Sequence, residues 1–274
     1  MELVINQTYG SAQLRGVKRG DAFVGQVFTD TGKSVQISAD SAPELLEKLK
    51  SEAARMSGAY VGFDGARRRF LEFLPDGFLD SRYIEQERVY KLARKSSLEA
   101  AAPLSARPYS ALQVSGAAKA FSINLLHSTE QIRAKQALSS PQGHAILEAL
   151  AEFTDEPSQP TLDTLAALLK PFGAARWTLI TLLPFFWKPD RHMFLKPEVT
   201  CEFAASVGHP FHLEYTADLN LGVYKALLDL ASKTEQETSG MAPSDRIDVQ
   251  SFIWVVGRYT LDDAGKGPEL EADT

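Results

Sequence analysis

The sequence predicts an α+β protein: a small N-terminal β-meander plus a helix, followed by a larger, mostly α-helical body. Three observations carry this. The first forty residues hold short runs of strand formers separated by turn residues. From about residue 60, apolar residues recur at helical intervals. The 274 residues are 44% hydrophobic and 23% charged, a globular composition that supplies enough apolar surface for a sizeable core.

Leu3-Val4-Ile5 is a short apolar run, Ala22–Phe28 is rich in strand formers, and Ser34–Ser38 alternates polar with apolar. Asp30-Thr31-Gly32-Lys33 supplies the turn a hairpin needs between the last two. Ser41 opens a helix with Glu44 three residues on, at capping-box spacing, and Leu45, Leu46, Leu49 and Ala53 mark its apolar face. Tyr60–Gly65 reads as a glycine-punctuated turn into a helix over Ala66–Leu74, which Pro75-Asp76-Gly77 ends. Asp80 is placed to cap a helix running to about Leu98. Further helices are expected near 110–126, 141–153, 161–170, 198–206 and 219–237, the last with an apolar stripe of Leu221, Tyr224, Leu228 and Ala231.

Thr178–Trp187 and Ile247–Val256 are continuous apolar runs, and periodicity does not choose between buried strand and buried helix. Ala100–Pro108 and Thr154–Pro160 have linker composition. The expected division is therefore 1–100 as an N-terminal α+β part, 109–260 as the mostly helical part, and 261–274, rich in glycine and acids, as a disordered tail.

The segment Pro184–Pro197 sets three prolines among aromatics and cations. Pro184 should break or kink any helix passing through it. The segment is expected to be a packed turn between two helices, with Trp187 and Phe194 buried and Lys188 and Arg191 reaching solvent. Pro197 suits the first turn of a helix carrying Val199, Phe203 and Val207.

Composition narrows the function classes. A single cysteine, Cys201, allows no intrachain disulfide and suits a reducing compartment. The start Met1–Asn6 lacks a basic, then apolar, leader, and the longest apolar stretch is too short to span a bilayer, so a cytoplasmic location with no membrane partner is expected. Residues 1–100 hold 15 Lys+Arg against 14 Asp+Glu, and residues 101–274 the remaining 14 against 21, so the acidity lies in the second part. P-loop, dinucleotide-binding, nucleophile-elbow and His-Glu-x-x-His signatures are missing, and no lysine follows an acid by two positions.

Three constellations remain. Arg67, Arg68, Arg69, Arg88, Lys91, Arg94 and Lys95 form a basic run, with Arg88, Lys91 and Lys95 on one helical face, where phosphates can be contacted. A salt-bridged, solvated face is the competing reading, because Asp80, Glu85 and Glu87 lie near. His192, His209 and His212, with Cys201, Glu202 and Asp190, offer metal-ligand types but no known ligand spacing, so no metal or cofactor is expected. Asp245, Asp248 and Gln250 fit an acid-x-Gln nuclease pattern if their segment is a strand. Ser244 or Asp245 serves as a cap if it starts a helix.

Phe70–Lys91, around Leu74-Pro75-Asp76-Gly77-Phe78, together with Pro189–Thr200 and Ile247–Val256, resembles segments of an uncharacterised family of bacterial hypothetical proteins, over roughly Tyr60 to Tyr259. The resemblance implies a bacterial source and carries no activity, cofactor or site residue. The leading expectation is a binding protein that contacts DNA, RNA or another anionic partner through the Arg67–Lys95 face. The alternatives are a divergent metal-dependent nuclease using Asp245, Asp248 and Gln250, and a protein-interaction scaffold docking through Phe185, Phe186, Trp187 and Met193.

Overall fold

The computed structural model describes residues 2–9, 12–20, 22–29, 32–34, 36–57 and 62–259. The fold is α+β, with an N-terminal antiparallel sheet and a mostly helical body. Strands β1 (Glu2–Tyr9), β2 (Ala12–Arg19) and β3 (Ala22–Thr29) form a meander. The short strands β4 (Gly32–Lys33) and β5 (Ile37–Ala39) both pair antiparallel with β3. Asp30 and Thr31 of the expected hairpin turn lie outside the described residues.

Helix α1 (Ala42–Ser57) covers one face of this sheet. Its start follows the expected chemistry: Ser41 Oγ accepts from Glu44 N at 3.3 Å, while Glu44 reaches back to Asp40 N at 3.2 Å. Leu45, Leu49 and Ala53 close over Ile5, Ala12, Leu14, Val27 and Ala39 as a small separate core. The helix approaches closely because Gly16 and Gly25 pair across the strands beneath it. A Cβ at Gly25 would lie 2.6 Å from Arg15 O and 2.9 Å from Leu49 Cδ1.

The second core begins at Ala66 and runs continuously to Val256. Helix α2 (Gly62–Phe73) enters it first. The single turn α3 (Ser81–Tyr83), a π-helical turn over Ile84–Arg88 and α4 (Val89–Ala101) then continue as one rod capped by Asp80, which accepts from Arg82 N. The division between cores therefore falls between Ala53 and Ala66, earlier than the linker-like stretch 100–108, because α2 through α4 pack into the helical body. The proposed tail, 261–274, lies outside the described residues.

Helices α5 (Ala111–Ala118), α6 (Ser128–Leu138), α7 (Gly143–Asp155) and α8 (Gln159–Leu169) follow. Next come α9 (Trp177–Trp187), α10 (Pro197–Val207), the short α11 (Phe211–Glu214), α12 (Leu221–Glu237) and α13 (Arg246–Arg258). Both ambiguous apolar runs are helices. Helix α9 continues through Pro184 to Trp187, so the proline does not end it as expected. A mid-helix proline costs about 3 kcal/mol. Every side chain from Trp177 to Trp187 is buried, and each large ring contributes about 2–3 kcal/mol, which outweighs that cost.

The turn after α9 has the expected exposures: Trp187 and Phe194 are buried, while Lys188 and Arg191 are exposed; Met193 is buried too. Trp187 Nε1 donates to Ala102 O at 2.9 Å, and Thr181 Oγ1 accepts from Leu195 N at 3.0 Å, tying the turn to the core. Pro197 begins α10 as placed. Among the described residues no helix is long and apolar enough to cross a membrane.

Candidate functional site

The seven cations singled out in the sequence do not share one solvated face. Lys91 is fully buried, its Nζ donating to Glu87 Oε2 at 2.9 Å and to Ser251 Oγ at 2.7 Å. Arg88 bridges Asp245, at 3.2 Å, and Asp248. Arg69 donates to Val256 O and Tyr259 O, both at 2.8 Å, satisfying carbonyls at the end of α13. Arg94 ties α4 to Lys119 O at 2.9 Å and Ser122 O at 2.6 Å. Lys95 pairs with Glu99 one turn on, and Arg67 pairs with Asp64 and, at 2.9 Å, with Glu237. Arg68 alone of the seven is exposed without a hydrogen bond or ion pair among the described residues.

Arg88 and Lys91 instead lock α4 to α13. Asp248 is 1% exposed and accepts from the Tyr83 hydroxyl, from Arg88 and, at 2.6 Å, from Ser244 N. Burial, then the neighbouring Asp248 charge, pushes the Tyr83 pKa well above the ordinary tyrosine range, so Tyr83 stays a donor. Burial works against the Arg88 charge, but Asp245 and Asp248 hold it protonated. Burial also lowers the Lys91 pKa, against the opposing pull of Glu87. A lysine hydrogen-bonded to a serine has the makings of a nucleophile and base. Here both are fully buried, and Ser251 Oγ also donates to Ile247 O at 2.8 Å, so the pair is a structural link.

The nuclease premise of a strand fails at the same place. Asp245 is the N-cap of α13, accepting from Ile247 N at 2.9 Å, and Asp248 and Gln250 lie on that helix. The oxygens of Asp248 are already taken by protein donors. The histidines separate as well. His192 Nδ1 pairs with the Tyr224 hydroxyl at 2.6 Å, His209 with Asp229 at 3.0 Å, and His212 Nδ1 with His209 O at 2.7 Å. Among the described residues no three side chains of His, Cys, Asp or Glu gather as metal ligands. Phe185, Phe186, Trp187 and Met193, the proposed docking rings and anchor, are all in the core.

Cations without an ion pair among the described residues also stand in the N-terminal unit. On the sheet face away from α1, pairing aligns Asn6, Arg15 and Gln26 across β1–β3, Thr8, Gln13, Phe28 and Lys33 across β1–β4, and Leu3, Val17 and Val24 beside them. Arg15 and Arg19 are exposed and make no ion pair among the described residues. Arg15 stacks its guanidinium over the Phe28 ring at 5.3 Å. Arg15, Val17, Arg19, Gln26, Phe28 and Gln36 line a shallow depression of about 210 Å³. No described carboxylate lies on this face, because Glu2 pairs with Lys18 on the other one.

The sequence pattern hid this face. Arg15, Val17 and Arg19 alternate with Leu14, Gly16 and Lys18, but the inward positions opposite α1 at 16 and 25 are glycines, which erases the apolar half of the strand period. The signal that could have found it is the pair of glycines at matching positions in two strand-like runs. The chain matches no family model, and no curated protein and no solved structure matches it.

Proposed function

We propose that this protein binds single-stranded nucleic acid across the open face of its N-terminal sheet. The observation that carries the reading is a sheet face bearing Arg15, Arg19 and Lys33, with an arginine-stacked Phe28 and flanking amides, and no described carboxylate. Cations track the phosphates, an exposed ring or guanidinium plane stacks on bases, and Gln13, Gln26 and Gln36 offer donors and acceptors to base edges. The expected anionic partner is thus kept, but its contact surface moves from α4, whose cations are spent on internal carboxylates and carbonyls, to β2 and β3.

Fluorescence anisotropy with labelled oligo(dT), oligo(rU) and a duplex, over a salt series, tests this. Three phosphate contacts predict a log K against log [salt] slope of about −2 for single strands. The double variant Arg15→Gln/Arg19→Gln should weaken binding at least tenfold with an unchanged melting temperature, and Phe28→Ser should weaken single strands more than duplex. Absence of binding at low salt, or binding untouched by both variants, refutes the reading.

A further inference from the structure

Where β1 ends and α2 begins, a cavity of about 460 Å³ lies between the two cores, lined by Tyr9, Glu47, Lys50, Asp64, Arg67 and Arg68, with Leu71 and Met241 at its apolar side. Tyr9 spans this seam. Its hydroxyl rests against Gly62, whose φ is +66°, so closely that a Cβ there would sit 2.1 Å from the oxygen. The glycine is required twice over, by backbone conformation and by the approach of the ring.

Both carboxylates of the lining already have partners. Glu47 accepts from Lys50 at 2.7 Å, and Asp64 accepts from Arg67, which also holds Glu237 at 2.9 Å. What remains is unused donor capacity. Arg68 has no hydrogen bond or ion pair among the described residues. Lys50, poised over the Tyr9 ring at 5.3 Å, has spent one of its three N–H groups. The Tyr9 hydroxyl donates to nothing among the described residues, and burial raises its pKa against the pull of Lys50, so it keeps its proton. A guanidinium, an ammonium and a phenol therefore bring unused donors to one space, beside two carboxylates that each hold a neighbouring cation through one oxygen.

We propose that this seam cavity is a binding site for the phosphate group of a small phosphate monoester, held by Arg68, Lys50 and Tyr9. A tetrahedral dianion offers several acceptors to that donor set, and the planar guanidinium of Arg68 can take two of its oxygens together. Leu71 and Met241 give an apolar flank for the organic part of the ester, which free phosphate lacks. Clefts between packed units are frequent ligand sites, and this one would clamp the sheet unit to α2 when filled. The site is independent of the open sheet face: Arg15 and Arg19 take no part in it.

Isothermal titration of the full chain with phenyl phosphate, inorganic phosphate and, as a control, sodium chloride at matched ionic strength tests the site. Phenyl phosphate should bind with a Kd of about 1 mM or tighter, and inorganic phosphate several-fold more weakly. Arg68→Gln should weaken phenyl phosphate at least tenfold, and Tyr9→Phe and Lys50→Met each several-fold. Arg68 is exposed, so Arg68→Gln should melt like the parent, and circular dichroism checks that. Arg15→Gln/Arg19→Gln must leave phosphate binding unchanged while single-strand binding falls, which keeps the two sites distinguishable. Equal affinity for the two phosphates would assign the pocket to free phosphate and overturn the monoester. No heat and no ³¹P line broadening to about 10 mM, or an unaltered Kd in Arg68→Gln, overturns the site altogether.

Discussion

Replacing Lys91 by Met tests the lock between α4 and α13. In the parent, Nζ makes two buried hydrogen bonds, to Glu87 at 2.9 Å and Ser251 at 2.7 Å. Glu87 is 4% exposed and its other oxygen accepts from the Tyr259 hydroxyl at 3.0 Å. Methionine keeps the length of the side chain but removes the charge, so Glu87 is left ionised, buried and short of its main partner. Breaking one side of a buried pair costs about 3–5 kcal/mol, chiefly through the stranded charge. At roughly 2–4 °C per kcal/mol for a chain of this size, the melting temperature should fall by about 6–20 °C. The double variant Glu87→Gln/Lys91→Met removes both charges, keeps an acceptor for Tyr259, and should recover to within about 1–2 kcal/mol of the parent. Urea unfolding of the parent, the two single variants and the double variant gives the coupling energy directly. If Lys91→Met costs less than about 1 kcal/mol, or if the double variant is as unstable as Lys91→Met, the stranded-charge argument is refuted.

Three further outcomes follow from other parts of the structure. Burial lowers the His192 pKa from its ordinary 6.5 to about 4, so the unfolded chain binds the proton that the folded one excludes. Stability from this group is therefore complete above about pH 6.5 and lost as pH falls toward 4, amounting to about 2 kcal/mol between pH 7.5 and pH 5. Urea unfolding should lose that pH slope in His192→Gln, and an equal slope in both proteins contradicts the assignment. Trp187→Ala removes a buried ring and leaves Ala102 O without its donor, which should cost about 3–5 kcal/mol by chemical denaturation; a loss under 1 kcal/mol would mean the ring is not core. Gly25→Ala sets a methyl against the Arg15 carbonyl and Leu49, so hydrogen exchange should quicken in α1 and β3 while α9 and α13 stay protected. Exchange that quickens evenly through both cores would deny the small core its separate stability.

By itself the sequence determined what local chemistry controls. The order of strands before helices, the starts at Ser41 and Asp80, the proline at the head of α10 and the stripe on α12 are all written within a few residues of where they act. The packed turn at 188–196 was legible for the same reason, since prolines fix φ without help from distant chain. Tertiary structure decided the rest. A run as apolar as Thr178–Trp187 has no polar face from which to read a period, and Pro184 is tolerated in a helix only because the surrounding core buries every side chain of that helix. The destinations of the cations depended on groups far along the chain: Arg88 meets Asp248 across 160 residues, Lys91 meets Ser251 at the same separation, and Arg69 meets Val256 across 187. Charge content and helical spacing could nominate those side chains as a surface. Only the packing of α4 on α13 made them an interior lock, because an ion pair is a property of two positions brought together and not of either segment alone.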